Sequence, residues 1–223
     1  MDVSNVIVRE GQTGLSVILV SGADRAILTH IGLIDALQAS DIPDSLLRQT
    51  RHLHVASYFL QTNLQPGLFS LFQRARQLGL TTSLDTNYDP SEKWVGVNEL
   101  LSVTNVFLPN KKEAISLVGT TDVEIAADRL GQRVETVAIK LGAEGAIGVH
   151  ASQKVKVASI PVKVVDTVGE GDSFNAGFLY GYLHQWELAK SLRLACVCGA
   201  LSTQKAGGTE AQPMLDEALK YVS

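Results

Sequence analysis

Between an apolar stretch at residues 162–165 and an apolar-striped stretch at 171–185 runs Asp166-Thr167-Val168-Gly169-Glu170-Gly171-Asp172-Ser173-Phe174. Read as strand, turn and helix, it places two glycines where the chain must turn tightly and present successive N–H groups. The first turn of a helix has amides without an intrahelical partner and carries the positive end of the dipole. Together these features form an anion site suited to a phosphate. Asp172 falls inside that first turn, beside the anion, where a carboxylate can accept a proton from an attacking hydroxyl. The chemistry this spacing suits is phosphoryl transfer to a hydroxyl. Taken alone, Gly169-Glu170-Gly171-Asp172 serves equally well as a plain turn with a helix-capping acid.

Other residue types invite chemistry and read more plainly. Asn110 and Glu113 stand one helical turn apart after Pro109 and can face one site. An asparagine at a helix start is also an ordinary cap. His52 and His54 alternate on a strand, a spacing that can hold metal, yet no third ligand accompanies them. Trp94 and Trp186 read as packing residues and Lys111-Lys112 as a solvated helix face. The two cysteines, Cys196 and Cys198, lie in an apolar stretch without zinc-site spacing. They read as small buried residues on a helix, in keeping with a reducing cytoplasm.

The elements that must position these residues follow from periodicity. Strands are expected at 15–20 and 25–29, joined by the turn Ser21-Gly22-Ala23-Asp24, and again at 52–56, 81–84, 105–108, 134–141, 146–149, 154–158 and 162–165. Helices are expected at 43–50, 66–78, 94–103, from Asn110 to about 118, and at 122–131, 171–185, 187–205 and 213–221. Strand–helix alternation through the middle predicts parallel strands joined by crossover helices, with ligands at the carboxyl ends. The early hairpin is expected as a flap beside that sheet. At 223 residues and 45% hydrophobic, the chain suits one α/β domain over 1–223. A net charge of -4 without a basic run gives no nucleic-acid footprint. No apolar run reaches the ~18 residues that span a bilayer, and the N-terminus lacks a signal-peptide pattern. A cytoplasmic, soluble protein is expected.

The string 166–174 resembles the signature of the PfkB-type carbohydrate kinases, the ribokinase-like family, Asp-Thr-x-Gly-Ala-Gly-Asp-x-Phe. It differs at Glu170, where that pattern has alanine. The Asn175-Ala176-Gly177-Phe178-Leu179 that follows resembles the family too. Leu108-Pro109-Asn110-Lys111-Lys112-Glu113 resembles its Asn-x-x-Glu element, and Ile139-Lys140-Leu141-Gly142-Ala143-Glu144-Gly145 its strand and turn beside the nucleotide. Ala206-Gly207-Gly208-Thr209 resembles the loop lining the adenine and monovalent-cation sites. Asp85-Thr86-Asn87-Tyr88-Asp89 resembles an Asp-x-Asn-x-Arg segment, with Asp89 in place of arginine. Thr13-Gly14-Leu15 and Asp24-Arg25 resemble the lid hairpin, here residues 13–30.

The resemblance implies a three-layer α/β/α fold with a mainly parallel sheet and a small β lid. It implies ATP-dependent phosphorylation of a sugar hydroxyl, with 160–210 as the nucleotide and phosphate region. Asp172 would be the base. The backbone at Gly169, Glu170 and Gly171 would form the anion hole, with the Glu170 side chain pointing outward. Lys140, Gly142, Gly145, Cys196, Gly207 and Gly208 would line the nucleotide. Magnesium would sit near Asn110 and Glu113, and potassium at Asp166 and the Val168 carbonyl with carbonyls near Thr203 and Gly208. Family members carry a preceding segment with early strands and a sugar-binding stretch, so the chain is expected to open in the family's interior. Its alternatives are an impaired nucleotide- or sugar-binding relative, or a module that completes its sheet with a partner, for example as a homodimer.

Overall fold

The main sheet of the computed structural model, which describes residues 2–21 and 24–222, has six strands in the order in which the chain makes them. Gly22 and Ala23 of the expected turn, and the side chains of Val20, Ser21, Asp24 and Arg25, lie outside the description. The chain begins with an antiparallel pair, β1 (Leu15–Ser21) and β2 (Asp24–His30), which forms a separate two-stranded sheet. A short helix, α1 (Asp44–Leu47), leads into β3 (His52–Val55), α2 (Gln65–Gln77), β4 (Thr81–Leu84) and α3 (Val97–Leu101). Then come β5 (Val106–Phe107), α4 (Lys111–Val118), α5 (Val123–Gly131) and β6 (Thr136–Lys140). Strands β3 to β6 are parallel. From β6 the sheet turns antiparallel through β7 (Ala146–His150) and β8 (Gln153–Val157). The chain closes with α6 (Glu170–Leu183), α7 (Leu188–Ser202) and α8 (Leu215–Leu219).

Side-chain alternation along the central strands sends residues into two cores, because successive strand residues face opposite sides. Phe107, Val137 and Ile139 join the core formed with α2 to α5. Val106, Leu108 and Ala138 join the core formed with Phe174 and Phe178 of α6 and Leu192 and Ala195 of α7. Helices therefore cover both sheet faces. That explains why these strands read as continuous apolar runs. Among the described residues no helix is long and apolar enough to cross a membrane.

The helices expected at 43–50 and 213–221 shorten to Asp44–Leu47 and Leu215–Leu219, and two further elements differ. Residues 162–165 form no strand: the amides of Val165 and Asp166 both donate to the Thr203 carbonyl at the end of α7, at 2.8 and 3.1 Å. Val164 and Val165 are exposed, so the β-branched pattern there has no sheet neighbour to pair with. The helix expected at 94–103 is cut to Val97–Leu101. Ahead of it the buried Asp89 carboxylate caps a turn, accepting from the amides of Ser91, Lys93 and Trp94. Trp94 does pack as expected, edge-on against Phe59 and Tyr88.

Candidate active site

A cleft of about 350 Å³ opens where β4, β5 and β6 end, against the start of α6. Gly169 is the cap of that helix, with φ of 76°. A Cβ there would stand 2.6 Å from the Gly208 carbonyl oxygen, so the turn requires glycine on both counts. The Glu170 amide donates to the Thr167 carbonyl, while those of Gly171 and Asp172 donate to no other described residue. These are the orphan donors of a helix start, and they border the cleft. Asp172 is exposed and lines the same space.

Glu170 is half-buried, and its Cγ lies 3.6 Å from where a Cβ on Gly199 of α7 would be, an ordinary contact distance. The turn itself is held from the opposite side. Asp166 accepts from the Val168 amide and, across the loop, from the Gly207 amide, each at 3.0 Å. Asp166, Gly207 and Gly208 thus shape the turn without lining the cleft, whereas Val168 lines it.

Asn110 and Glu113 form a reciprocal capping box at the start of α4. The Asn110 side-chain oxygen accepts from the Glu113 amide, and Glu113 accepts from the Asn110 amide, both at 2.9 Å. The cap and the site are one structure, since both residues also line the cleft. Burial, followed by the Asp85 charge, pushes the Glu113 carboxyl up to about 7. Cys196 lines the inner wall, and burial pushes its thiol up to about 12, which keeps it protonated and unreactive. Gly142 and Gly145 border the cleft in the turn after β6.

One cluster here has no local signature. Asp85, at the end of β4 and 3% exposed, meets Lys140 from β6 and Asn175 from α6. The Lys140 ammonium donates to Asp85 at 2.7 Å and to the Asn175 side-chain oxygen at 3.1 Å. The Asn175 amide donates to Asp85 at 2.6 Å, and the Asn87 amide to its other oxygen at 3.0 Å. Burial pushes the Asp85 carboxyl up, but Lys140 and these hydrogen bonds outweigh it and hold the group below the usual range. Asp85, Asn87, Thr167 and Phe174, with Ile18 and Ile27 of the hairpin, complete the lining beyond the residues the motif suggested.

The remaining candidates have structural roles. His52 bonds Thr81 and Ser83, and His54 bonds Ser83, all at 2.7 Å. Lys111 pairs with Glu144 at 3.6 Å, and Lys112 sits over the Tyr88 ring rather than only in solvent.

Fold and cleft together define an α/β scaffold with unpartnered amides at a helix start and a carboxylate beside them at the carboxyl edge of its sheet. The chain belongs to the pfkB family of carbohydrate kinases, whose profile matches residues 1–215. It is 34% identical over 213 residues to an uncharacterized sugar kinase of Archaeoglobus fulgidus, covering 93% of this chain and 83% of that protein. It is 29% identical to an ATP-dependent ribose-1-phosphate kinase of Halopiger xanaduensis, covering 97% and 70%. Its fold matches the apo crystal structure of a putative ribokinase II from E. coli with a TM-score of 0.84 at 23% identity, over 94% and 71% of the two chains.

Proposed function

We propose that the chain transfers the γ-phosphoryl group of ATP to a hydroxyl of a sugar or sugar-like acceptor, with Asp172 as the base. The observation that carries this reading is the start of α6, where unpartnered amides and the Asp172 carboxylate face one cleft. The unpartnered amides at this turn, those of Gly171 and Asp172, take up charge on the phosphoryl oxygens, the main electrostatic contribution in such reactions. Asp172 takes the proton of the acceptor hydroxyl as the oxygen attacks. Lys140, Gly142, Gly145 and Cys196 line the nucleotide side, and Gly207 and Gly208 support it from behind the turn. Support comes from the ATP dependence named for the Halopiger relative. The E. coli ribokinase II structure in complex with ATP and magnesium, with a TM-score of 0.81, supports it further.

The residues present fit magnesium. Glu113 is a buried carboxylate with no basic side chain hydrogen-bonded to it, beside the Asn110 amide, and hard cations take oxygen donors of this kind. Among the described residues no three His, Cys, Asp or Glu converge on one point, which suits an ion held mainly by waters and phosphate oxygens. Held by Asn110 and Glu113, magnesium would offset charge on the phosphate oxygens. The potassium donor set fits less well. The Thr203 carbonyl already accepts two amides and each Asp166 oxygen accepts one, so no step is assigned to that ion.

The test is turnover of ATP with magnesium over a panel of sugars and nucleosides, for the chain and for Asp172→Asn. The expected outcome is a kcat lower by about 10²–10⁴-fold in the variant with ATP binding retained. Undiminished turnover in Asp172→Asn removes the residue from the base role. ATP binding without turnover by the unaltered chain favours a nucleotide-binding relative over a kinase.

A further inference from the structure

We propose that Lys140 touches the phosphoryl group in transit, and that Asp85 and Asn175 are positioning residues that hold its ammonium there. The inference rests on the reading of the α6 start as the phosphoryl site.

Three observations lead to it. The first is the hydrogen-bond inventory of the ammonium. It has three N–H donors. Asp85 takes one at 2.7 Å and Asn175 a second at 3.1 Å. The third has no acceptor among the described residues. The second is where that donor sits. The Lys140 Nζ lies 3.6 Å from where a Cβ on Gly171 would be, so it stands beside the first turn of α6 where the unpartnered amides are. Gly171 leaves the space between them open, and two sets of donors border it. The third is charge. Four carboxylates line the cleft, those of Asp85, Glu113, Glu170 and Asp172, and Lys140 is the basic side chain among the described lining residues. A polyanion entering such a space needs a fixed cation, and here it is held in a set geometry.

A plain structural ion pair is the competing account. It explains less. Burying an ammonium and a carboxylate together gains little over an apolar pair of similar volume. It also leaves open why the ammonium keeps an unpartnered N–H beside the cleft it lines. Preorganised donors aimed at developing charge are what a transfer site uses.

In the step itself, the acceptor oxygen forms a bond to the γ-phosphorus as the bond to the β–γ bridging oxygen breaks. ADP leaves with that electron pair, and the acceptor's proton passes to Asp172. Lys140 neither gains nor loses a proton. It donates a hydrogen bond to an oxygen of the moving group. Asp85 and Asn175 act through Lys140 and touch no substrate.

The experiment separates touching the phosphoryl group from merely balancing Asp85. It compares Lys140→Met, Asp85→Asn and the double variant with the unaltered chain. Contact predicts a fall in kcat of about 10²–10³-fold for Lys140→Met, the loss typical of one missing donor, with the acceptor KM little changed. In the double variant no carboxylate is left buried and unpaired, so thermal stability returns while kcat stays low. Return of kcat together with stability overturns the proposal. A second arm does not depend on turnover. ADP with aluminium fluoride mimics the moving phosphoryl group, and its advantage over ADP alone, measured within each variant, should be lost in Lys140→Met. An advantage that survives in Lys140→Met overturns the proposal even if no acceptor is ever found. Failure of the parent reading shows differently: no such advantage in the unaltered chain, or full activity in Asp172→Asn. Should Lys140→Met fail to fold, the double variant replaces it in both arms.

Discussion

The α6–α7 pair and the β1–β2 hairpin both border the cleft, and they are built in opposite ways. In the helix pair, Phe174, Phe178, Leu192 and Ala195 are buried in one core with strand residues, and Asp172 and Asn175 ride on that packed frame. In the hairpin the two strands pair only with each other, and Leu15 and Leu28 are 62% and 60% exposed. Apolar side chains point from both of its faces, with Ile18 and Ile27 reaching the cleft. A two-stranded sheet is marginal by itself. On the proposed reading, Asp172 needs a frame that fixes it within a fraction of an ångström, whereas the hairpin, as a cover over the cleft, needs apolar surface and freedom to give way. The molecule divides these demands between the two regions.

Three measurements break or sharpen that contrast. The largest effect is expected at Glu113, on the packed side. Its carboxyl is raised to about 7 from 4.5, so between those values the folded protein holds a proton that the unfolded chain has lost. Stability is therefore full below about 4.5 and declines as pH rises through 7. The loss is up to about 3 kcal/mol without magnesium. Denaturant melts across that range should show the slope, and Glu113→Gln should flatten it. Next comes Gly169→Ala, where left-handed backbone and the Gly208 carbonyl oppose a Cβ. A loss of about 1–3 kcal/mol is expected by thermal melting, together with weaker phosphate binding. The smallest effect is expected for Ile27→Ser on the hairpin, within about 0.5 kcal/mol in stability, seen instead as a higher KM. A stability loss there as large as that of Gly169→Ala would erase the distinction between the regions.

What could be read beforehand was what lies close together along the chain. The turn and helix at 166–185 are contiguous, and so a tight glycine turn leading into a helix with Asp172 in its first turn was legible. Asn110 and Glu113 were legible as either cap or site, and the fold uses them as a cap that faces the cleft. The Asp85–Lys140–Asn175 cluster was not legible, because its members are 55 and 35 residues apart and meet only when β4, β6 and α6 converge. The strand expected at 162–165 failed for a related reason. Its β-branched pattern is local, but a strand exists only beside another strand, and here the neighbour is a helix end.

The strand order of the main sheet has a consequence for how the molecule comes into being. Because each strand from β3 to β8 lies beside the one made just before it, the sheet can grow during synthesis from one edge outward. No strand must wait for a neighbour that emerges later. The cleft is the exception. Asp85 emerges early, Lys140 follows 55 residues on, and Asn175 with the α6 start arrives 90 residues after Asp85. The nascent chain therefore carries every strand of this sheet before the three members of the Asp85–Lys140–Asn175 cluster are all present.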